Sequence, residues 1–337
     1  MARILSIDSA ASLKVAVHAA AEVLRNGQVV VVPTETVYGL AANALDKTAV
    51  QQIFTIKGRP SANPLIVHVA SLEAARGCAS EWPSCADLLA KSFWPGPLTM
   101  VLPKAGIIPP IVTASGPTVA IRWPSHPFMR ALLAECEFPL AAPSANLSTE
   151  VSATLAEHTQ KSLGDKVPLI IDAGPAAVGI ESTVLNLTEN PPRILRPGMI
   201  SRLQIERALG CSIAHGPTSG SPSAPLASPG LLPKHYSPKA RVVIAEWDSP
   251  ITFNALLNAT AMGRAAHVLA HSNIPPEGPR HTVSLIPFDP EAYARALYAE
   301  LHQADQRGVD VIVIEALPSS PEWDGINDRL RRAAHPG

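Results

Sequence analysis

The stretch that decides the fold is Pro33-Thr-Glu-Thr-Val-Tyr-Gly-Leu40, followed by Lys57-Gly-Arg-Pro60 and Asn63-Pro-Leu-Ile-Val-His68. The apolar run Gln28–Val32 leads into it and predicts a buried strand. Two cations, several hydroxyls, an amide and an imidazole thus fall within one short strand–loop–helix–strand unit. Burying so many polar groups in a packed core would cost free energy, so packing alone does not explain this stretch. The pattern indicates a site for an anionic ligand.

The helix inside this unit delivers the two cations. Asp46 is a good N-cap residue, and the apolar spacing predicts a helix from it to about Ile56. Lys57 and Arg59 then lie in a turn framed by Gly58 and a proline, which fixes the direction of both side chains. Basic residues also favour helix ends through the dipole alone, so the pair by itself leaves a structural role open. If the site binds phosphate, Arg59 would act as a bidentate fork and Lys57 as a mobile point charge.

Working outward, strands and helices are interleaved but do not follow strict βαβα order. This favours a twisted, mixed α/β sheet over a doubly wound one. The predicted strands are residues 28–32, 65–69, 98–102, 119–122, 140–142, 169–172, 183–187 and 193–195, and the predicted helices are 11–25, 46–56, 85–93, 127–136, 153–163 and 201–209.

Three parts follow one another along the chain. Residues 1–211 form the predicted catalytic domain, and residues 212–239 have the Pro-, Ser- and Gly-rich composition of a linker. In residues 240–337 strands at 241–245, 266–269 and 311–315 alternate with helices, which predicts a small parallel, Rossmann-like α/β domain. The linker contains Pro229-Gly230 and His235-Tyr-Ser-Pro238, turn-forming and aromatic anchors that predict a docked lid.

Composition excludes several classes of protein. Of the 337 residues 47% are hydrophobic and 16% charged, which favours a folded chain over a disordered one. No apolar run reaches the roughly 18 residues of a membrane span, and the N-terminus lacks a signal-peptide pattern, so we expect a cytoplasmic protein. The four cysteines have no zinc-binding spacing, and no metal ligands are predicted. A net charge of -1 predicts weak or no direct RNA binding.

Other polar side chains also sit at predicted strand ends. Arg122 ends a buried strand, where it needs an anionic partner, either a structural carboxylate or a ligand carboxylate. Ser144 and Asn146 follow another strand and could bind a ligand, although in isolation an ordinary turn is the favoured interpretation. His68, taken alone, is better interpreted as a satisfied core histidine than as a ligand contact. The common phosphate loops and nucleophile motifs are absent from the sequence, so catalysis would rest on positioning and charge.

Seven motifs follow one another along the chain: PTETVYGL, KGRP-x2-NPLIVH, FWPGPLT, VAIRWP, APSANLS, ESTV and RPG. In this order, over about residues 11–210, they resemble the YrdC-type threonylcarbamoyl-AMP synthases. Ser228-Pro-Gly230 and His235-Tyr-Ser-Pro238 in the linker, followed by an α/β domain, further resemble the long, two-domain form of that family. The second domain itself matches through its α/β pattern and Gly325-Ile-Asn-Asp-Arg-Leu330.

The resemblance implies a YrdC-like fold and a nucleotidyltransferase that condenses L-threonine, bicarbonate and ATP into threonylcarbamoyl-AMP and pyrophosphate, with Mg²⁺ accompanying ATP. A partner transferase would then modify the adenosine beside the anticodon of tRNA. By motif position, the threonine pocket would consist of Thr36, His68, Arg122 and Ser182. The ATP contacts would be Arg59, Asn63, Thr118, Ser144, Ser152, Arg196 and Tyr236, and the catalytic set around the phosphates Lys57, Arg59, Ser144 and Asn146.

Two rival functions stay open at this point. A carbamoyl-adenylate module of the hydrogenase-maturation type would use carbamoyl phosphate, although the zinc-finger and acylphosphatase-like segments of those proteins are missing. A non-catalytic double-stranded-RNA-binding protein would use the same cleft, but the net charge of -1 disfavours it.

Overall fold

Two sheets organise the chain in the computed structural model, which describes residues 2–214 and 235–335. The first part contains strands β1 (Arg3–Ser6), β2 (Val30–Val32), β3 (Gly39–Asn43), β4 (Ile66–His68), β5 (Leu98–Pro103), β6 (Thr118–Arg122), β7 (Leu140–Ala141), β8 (Leu169–Asp172), β9 (Thr183–Asn186) and β10 (Arg193–Arg196). Its helices are α1 (Ala10–Arg25), α2 (Lys47–Lys57), α3 (Leu72–Cys78), α4 (Ser84–Phe93), α5 (Pro127–Cys136), α6 (Ala156–Leu163) and α7 (Arg202–Leu209). None of the described helices is long and apolar enough to cross a membrane.

The second part is the predicted small α/β domain. Its strands are β11 (Arg241–Ala245), β12 (Ala266–Ala270), β13 (His281–Leu285) and β14 (Val311–Glu315), and its helices are α8 (Pro250–Ala261), α9 (Pro290–Arg307) and α10 (Asp324–Ala333). All neighbouring strands are parallel, in the order β11-β14-β12-β13. The apolar run of β12 is buried throughout, as expected for the interior of a sheet covered by helices.

The large sheet is mixed, with the order β1-β8-β2-β3-β7-β4-β6-β5-β9-β10. β2 and β3 pair antiparallel across the loop that contains the opening motif. β4 and β6 pair parallel, and their register sets His68 directly beside Arg122. The predicted mixed sheet is therefore confirmed, and its strand pairing brings the motifs to one place.

Local sequence explains the geometry of α2. The side chain of Asp46 accepts hydrogen bonds from the backbone N–H groups of Thr48 and Ala49, which caps the helix as predicted. The helix ends at Gly58, whose φ of 59° lies in the left-handed region that glycine enters without strain. This turn reverses the chain and sets Arg59 against the loop before β4.

The two parts share one buried cluster of apolar side chains. Val37 and Ile180 of the first part pack with Tyr293, Leu297 and other side chains of the second. The approach is close: a Cβ on Gly179 would lie 2.3 Å from the carbonyl oxygen of Ala294 in α9. The second domain is thus docked by direct packing against the segment that leads to β9.

Five elements are absent from the sequence-based assignment: β1, β3, α3, β13 and α10. β3 consists of Gly-Leu-Ala-Ala-Asn, which carries little strand propensity and forms because β2 and β7 pair with it on either side. α10 has few apolar residues, and its buried face includes Asp328 and Arg329. Apolar periodicity cannot detect a helix whose buried face is charged.

Candidate functional site

A pocket lies where the loop after β2 meets the ends of β4, β6 and β10 and the start of β9. The side chains at its wall are mostly polar or charged, and the free volume between them is about 50 Å³. Ligand pockets typically have roughly 300–1,000 Å³, so the free space in this one is small. Its lining includes Thr34, Thr36, Arg59, His68, Arg122, Ser144, Glu181, Ser182, Arg196, His235 and Tyr236.

Arg122 is held by a carboxylate from the opening motif. Its Nη2 lies 2.8 Å from Oε1 of Glu35, and its Nη1 donates to Oγ1 of Thr36 at 2.9 Å. Burial raises the pKa of Glu35, but the charge of Arg122 outweighs this and brings that pKa to about 2. The sequence left open whether Arg122 pairs with a structural carboxylate or with a ligand carboxylate. In the structure its partner is the carboxylate of Glu35, and the guanidinium also borders the pocket.

Arg59 is fixed by the segment that follows it. Its Nη2 donates to Oδ1 of Asn63 at 2.7 Å and to the carbonyl of Pro64 at 2.8 Å. Burial lowers the pKa of Arg59 to about 10, so the side chain stays charged at neutral pH. Asn63 therefore supports Arg59 instead of lining the pocket. The result is a preoriented cation at the pocket wall.

Lys57 differs from the predicted mobile point charge. It is buried, and its Nζ donates to the carbonyls of Ser144 (2.6 Å) and Asn146. Burial and the nearby charge of Arg59 lower its pKa well below the usual value. Lys57 thus anchors the loop after β7. It is absent from the pocket lining because the helix end aims it beneath that loop.

Ser182 and Arg196 form a second polar group at the start of β9. The hydroxyl of Ser182 lies 2.8 Å from Oγ1 of Thr99 and accepts from Nη2 of Arg196 at 3.1 Å. Arg196 Nε also donates to the carbonyl of Ser182. Both are buried and line the pocket. Adjacent strands β5, β9 and β10 bring these three motifs together.

Glu181 connects the site with the second domain. Its Oε1 accepts from Oγ of Ser152 at 2.5 Å, and its Oε2 accepts from Nε of Arg329 at 2.8 Å and from the hydroxyl of Tyr298 at 3.0 Å. Burial raises the pKa of Glu181, but Arg329 and Arg196 outweigh it and set that pKa at about 2. Ser152 is thereby placed behind the wall.

Several buried polar atoms around the pocket have no hydrogen-bond partner among the described residues. They include Nδ1 of His68, Oδ1 of Asn146, Nδ1 of His235 and the hydroxyl of Tyr236. Burial lowers the pKa of His68 to about 3, so its imidazole is neutral at pH 7. Unsatisfied buried groups are rare in folded proteins and need an explanation. A polar ligand that pairs with them supplies one.

The last five linker residues close the pocket. His235 and Tyr236 are buried and line it, and their rings meet edge to face at 4.0 Å. Ser237 N donates to the carbonyl of Thr149, which fixes this segment beside the loop after β7. Residues 215–234 of the predicted lid, including Pro229-Gly230, lie outside the described residues.

The structure brings most of the predicted site residues together. Eight line the pocket, and Lys57, Asn63, Asn146 and Ser152 support it from behind. Thr118 does neither: it begins β6, four residues or about 13 Å from Arg122 at the other end. The eight lining residues are Thr36, Arg59, His68, Arg122, Ser144, Ser182, Arg196 and Tyr236.

Sequence reasoning missed Glu35, Glu181, Tyr298 and Arg329. The requirement that a buried Arg122 find a carboxylate pointed toward an acid, and Glu35 stands in the opening motif between two predicted site threonines. No comparable signal in the sequence joins Glu181 to α9 and α10, more than 100 residues away.

Comparison with known proteins gives consistent matches across the chain. Residues 22–198 match the Sua5, YciO and YrdC family model, described as "Telomere recombination". Residues 200–335 match the model described as "Threonylcarbamoyl-AMP synthase, C-terminal domain". The chain is 39% identical to the threonylcarbamoyl-AMP synthase of Pyrococcus abyssi, covering 94% of each, and 40% identical to that of Bacillus subtilis, covering 94% of this chain and 92% of the relative.

A solved structure matches the whole architecture. The crystal structure of Pyrococcus abyssi Sua5 complexed with L-threonine superimposes with a TM-score of 0.88 at 37% identity, covering 99% of this chain and 97% of that one. The arrangement of both domains therefore has a counterpart over nearly the full length of a solved protein. This chain belongs to the family of the two-domain threonylcarbamoyl-AMP synthases.

Proposed function

We infer that this protein is an L-threonylcarbamoyladenylate synthase, which uses ATP and L-threonine. The observation that carries the inference is the pocket itself, in which Arg59, Arg122 and Arg196 converge with His68 and Ser182. Such a set matches a substrate pair made of a polyphosphate and a small zwitterion. Relatives named for this activity cover nearly the full chain, and one solved relative binds L-threonine.

The chemistry needs no side-chain nucleophile. The amine of threonine forms a bond to the carbon of bicarbonate, and water leaves to give a carbamate. A carbamate oxygen then attacks the α-phosphorus of ATP, and the bond to the β-phosphate oxygen breaks, releasing pyrophosphate. Negative charge moves from the carbamate to the leaving pyrophosphate, so fixed cations and orientation are what the protein must supply.

We assign the threonine end of the pocket to Thr36, His68, Arg122 and Ser182. Arg122 would pair with the amino-acid carboxylate using donors that Glu35 leaves available, and the neutral His68 would hydrogen-bond through its unpaired Nδ1. Arg59, Ser144 and Arg196 would contact ATP. Lys57 would act indirectly, because it holds the loop that presents Ser144 and Asn146.

We propose that Mg²⁺ enters with ATP and takes most of its ligands from the phosphates. Among the described residues no group of three or more His, Cys, Asp or Glu is placed to hold a metal. The two carboxylates nearest the pocket, Glu35 and Glu181, are engaged by arginines. These residues do not form a resident metal site, so no step of the reaction is assigned to one.

The end of the linker would act as a lid. His235 and Tyr236 fill the pocket wall, and the remaining 50 Å³ cannot contain ATP and threonine. The lid would therefore open to admit substrates and close over the adenylate, which is sensitive to water. Equal protease sensitivity of residues 212–239 with and without both substrates would contradict this role.

The product would pass to a transferase that modifies the adenosine beside the anticodon of tRNA. Because the net charge is -1, we expect this protein to contact tRNA weakly or not at all. Filter binding of unmodified tRNA at physiological salt checks that expectation. Tight, salt-sensitive binding would contradict it.

The function is tested by pyrophosphate release from ATP with bicarbonate, in the presence and absence of L-threonine, with serine and carbamoyl phosphate as alternative substrates. Release that requires both threonine and bicarbonate is the expected result. Release driven by carbamoyl phosphate would instead identify a carbamoyl-adenylate enzyme. No release under any of these conditions would leave a binding protein with the same pocket.

A further inference from the structure

We propose that Arg329 and Tyr298, side chains of the C-terminal domain, are positioning residues of the adenylate-forming site. They hold the ring of Tyr236 in the closed pocket and fix the carboxylate of Glu181 next to Ser182. The proposal rests on the proposed function of the same site. It gives the second domain a part in the reaction beyond carrying the linker.

Arg329 is the centre of this arrangement. It is fully buried in α10, and its Nη1 donates to the carbonyl of Pro197, which follows Arg196. Its Nε and Nη2 donate to the side chain and the carbonyl of Glu181. One guanidinium thus joins the two loops that supply Ser182 and Arg196 to the pocket.

The same guanidinium supports the lid. Its Cζ lies 5.2 Å from the ring centroid of Tyr236, within the range of a cation–π interaction. Tyr298 of α9 also stacks on Tyr236, with the two ring centroids 5.9 Å apart. Because both supporting groups are buried, water does not screen the interaction. Tyr236 therefore docks on a surface that the C-terminal domain provides.

Tyr298 joins the lid and Glu181 into one network. Its hydroxyl donates to Oε2 of Glu181, the oxygen that also accepts from Arg329. Each of the two residues thereby touches both the Tyr236 ring and the Glu181 carboxylate. Closure of the lid and orientation of the segment that contains Ser182 share the same two supports, so we expect them to be coupled.

The backbone shows that this contact is built into the fold. A Cβ on Gly325 of α10 would lie 2.9 Å from the backbone of Gly198, and one on Gly198 would lie 2.5 Å from Thr183 N. Only glycines allow α10 to approach the loop after β10 this closely. The close approach is what allows Arg329 to reach both the pocket and the lid.

A double-mutant cycle between Arg329 and Tyr236 tests the coupling. Arg329→Lys keeps the charge and most of the volume, and loses the planar fork that bonds Glu181 and faces the ring. We expect it to lower kcat for threonine-dependent pyrophosphate release about tenfold. Because Tyr236→Leu removes the ring itself, adding Arg329→Lys to it should cost much less than tenfold more. Tyr298→Phe, which keeps the stacked ring and loses the bond to Glu181, gives a milder second variant.

Arg331→Gln is the matched control, because Arg331 is an exposed arginine of the same helix. It should retain wild-type activity. Hydrogen exchange of the backbone amides of residues 235–237 supplies a readout that does not depend on turnover. Exchange at these amides should be faster in Arg329→Lys than in Arg331→Gln when the two variants are compared under conditions in which their thermal stability is equal.

The outcomes separate the two proposals. Multiplicative effects of Arg329→Lys and Tyr236→Leu on kcat, or unchanged exchange at residues 235–237 in Arg329→Lys, would overturn the positioning role. If wild type and Arg331→Gln release no pyrophosphate with threonine and bicarbonate, the proposed function fails. The exchange measurement still decides whether Arg329 holds the lid.

Discussion

At the scale of single residues, the site is built from buried charges that neutralise one another. Arg122 meets Glu35, and Arg329 meets Glu181, each at 2.8 Å in the interior. Removing one partner of such a pair leaves the other charge uncompensated, whereas removing both is often tolerated. Variants that remove both partners of a pair can therefore show the effect on ligand binding without a large loss of stability.

The Arg122–Glu35 pair gives the first prediction. Arg122→Gln alone should destabilise the fold by about 3–5 kcal/mol, because Glu35 would keep a buried, unpaired charge. The double variant Arg122→Gln with Glu35→Gln should regain most of this stability while its KM for threonine stays high. Thermal unfolding and threonine titrations measure both. A wild-type KM in the double variant would confine Arg122 to a structural role.

Lys57 and Arg59 give the second prediction. Arg59→Ala removes a preoriented cation from the pocket wall, and Lys57→Ala removes the anchor of the loop that carries Ser144. We expect Arg59→Ala to lower turnover by about 10² or more, as the loss of a transition-state donor does in other enzymes. We expect a loss of about the same size from Lys57→Ala, because a misplaced loop misaligns the groups that it presents to the substrates. Lys47→Ala, at an exposed position of the same helix, should behave as wild type. Full turnover in both site variants would refute this assignment.

At the scale of elements, sequence reasoning located strands and helices where apolar periodicity governs burial. α5, β8 and β14 have the predicted bounds, since each buries an uninterrupted apolar face. It failed for α10, whose buried face contains Gly325, Asp328 and Arg329. Sequence reasoning also assigned Lys57 to the ligand phosphates. The spacing of residues shows where the helix ends, but it does not show that the carbonyls of Ser144 and Asn146 lie within reach of this side chain. The pocket cations were predictable, but their buried partners were not.

The glycine contact of α10 gives the third prediction. Gly325→Ala would bring a Cβ within 2.9 Å of the backbone of Gly198, so α10 or the loop after β10 must move. We expect a loss of stability of about 1–3 kcal/mol together with reduced activity. Gly77→Ala in α3 is the control: no atom lies within 4 Å of its Cβ position, and alanine favours helices. Equal stability of the two variants would show that the close approach is not required.

At the scale of the whole molecule, the two domains act as one folded unit around the site. Their shared apolar cluster includes Tyr236 of the linker, and the pocket wall depends on Glu181, which the second domain holds. Across the same interface the rings of His158 in α6 and His302 in α9 stack with centroids 3.8 Å apart. The domain contact therefore contains two imidazoles that cannot both carry a charge without repulsion.

This histidine pair gives the last prediction. Burial, and then the neighbouring His302, lower the pKa of His158 to about 3, and burial lowers that of His302 as well. The unfolded chain, with histidine pKa values near 6.5, then binds more protons than the folded one between about pH 6.5 and pH 3. Stability should be full above pH 6.5 and fall as the pH drops below it. At pH 5.5 the loss is about 1 kcal/mol for each histidine that stays neutral when folded.

The comparison of thermal unfolding at pH 7.5 and pH 5.5 isolates this pair. His302→Gln can keep a donor for the carbonyl of Ser152 and removes one imidazole. The stability of this variant should therefore fall less between pH 7.5 and pH 5.5 than that of wild type.

The other ionisable groups are the same in the two proteins. His68 and His235, whose pKa values burial also lowers to about 3, contribute the same pH dependence of stability to both. The charged groups near the pair, Glu150, Glu157, Lys161 and Asp305, are also common to both. An identical pH dependence in His302→Gln and wild type would show that protonation of the stacked pair does not weaken the domain contact.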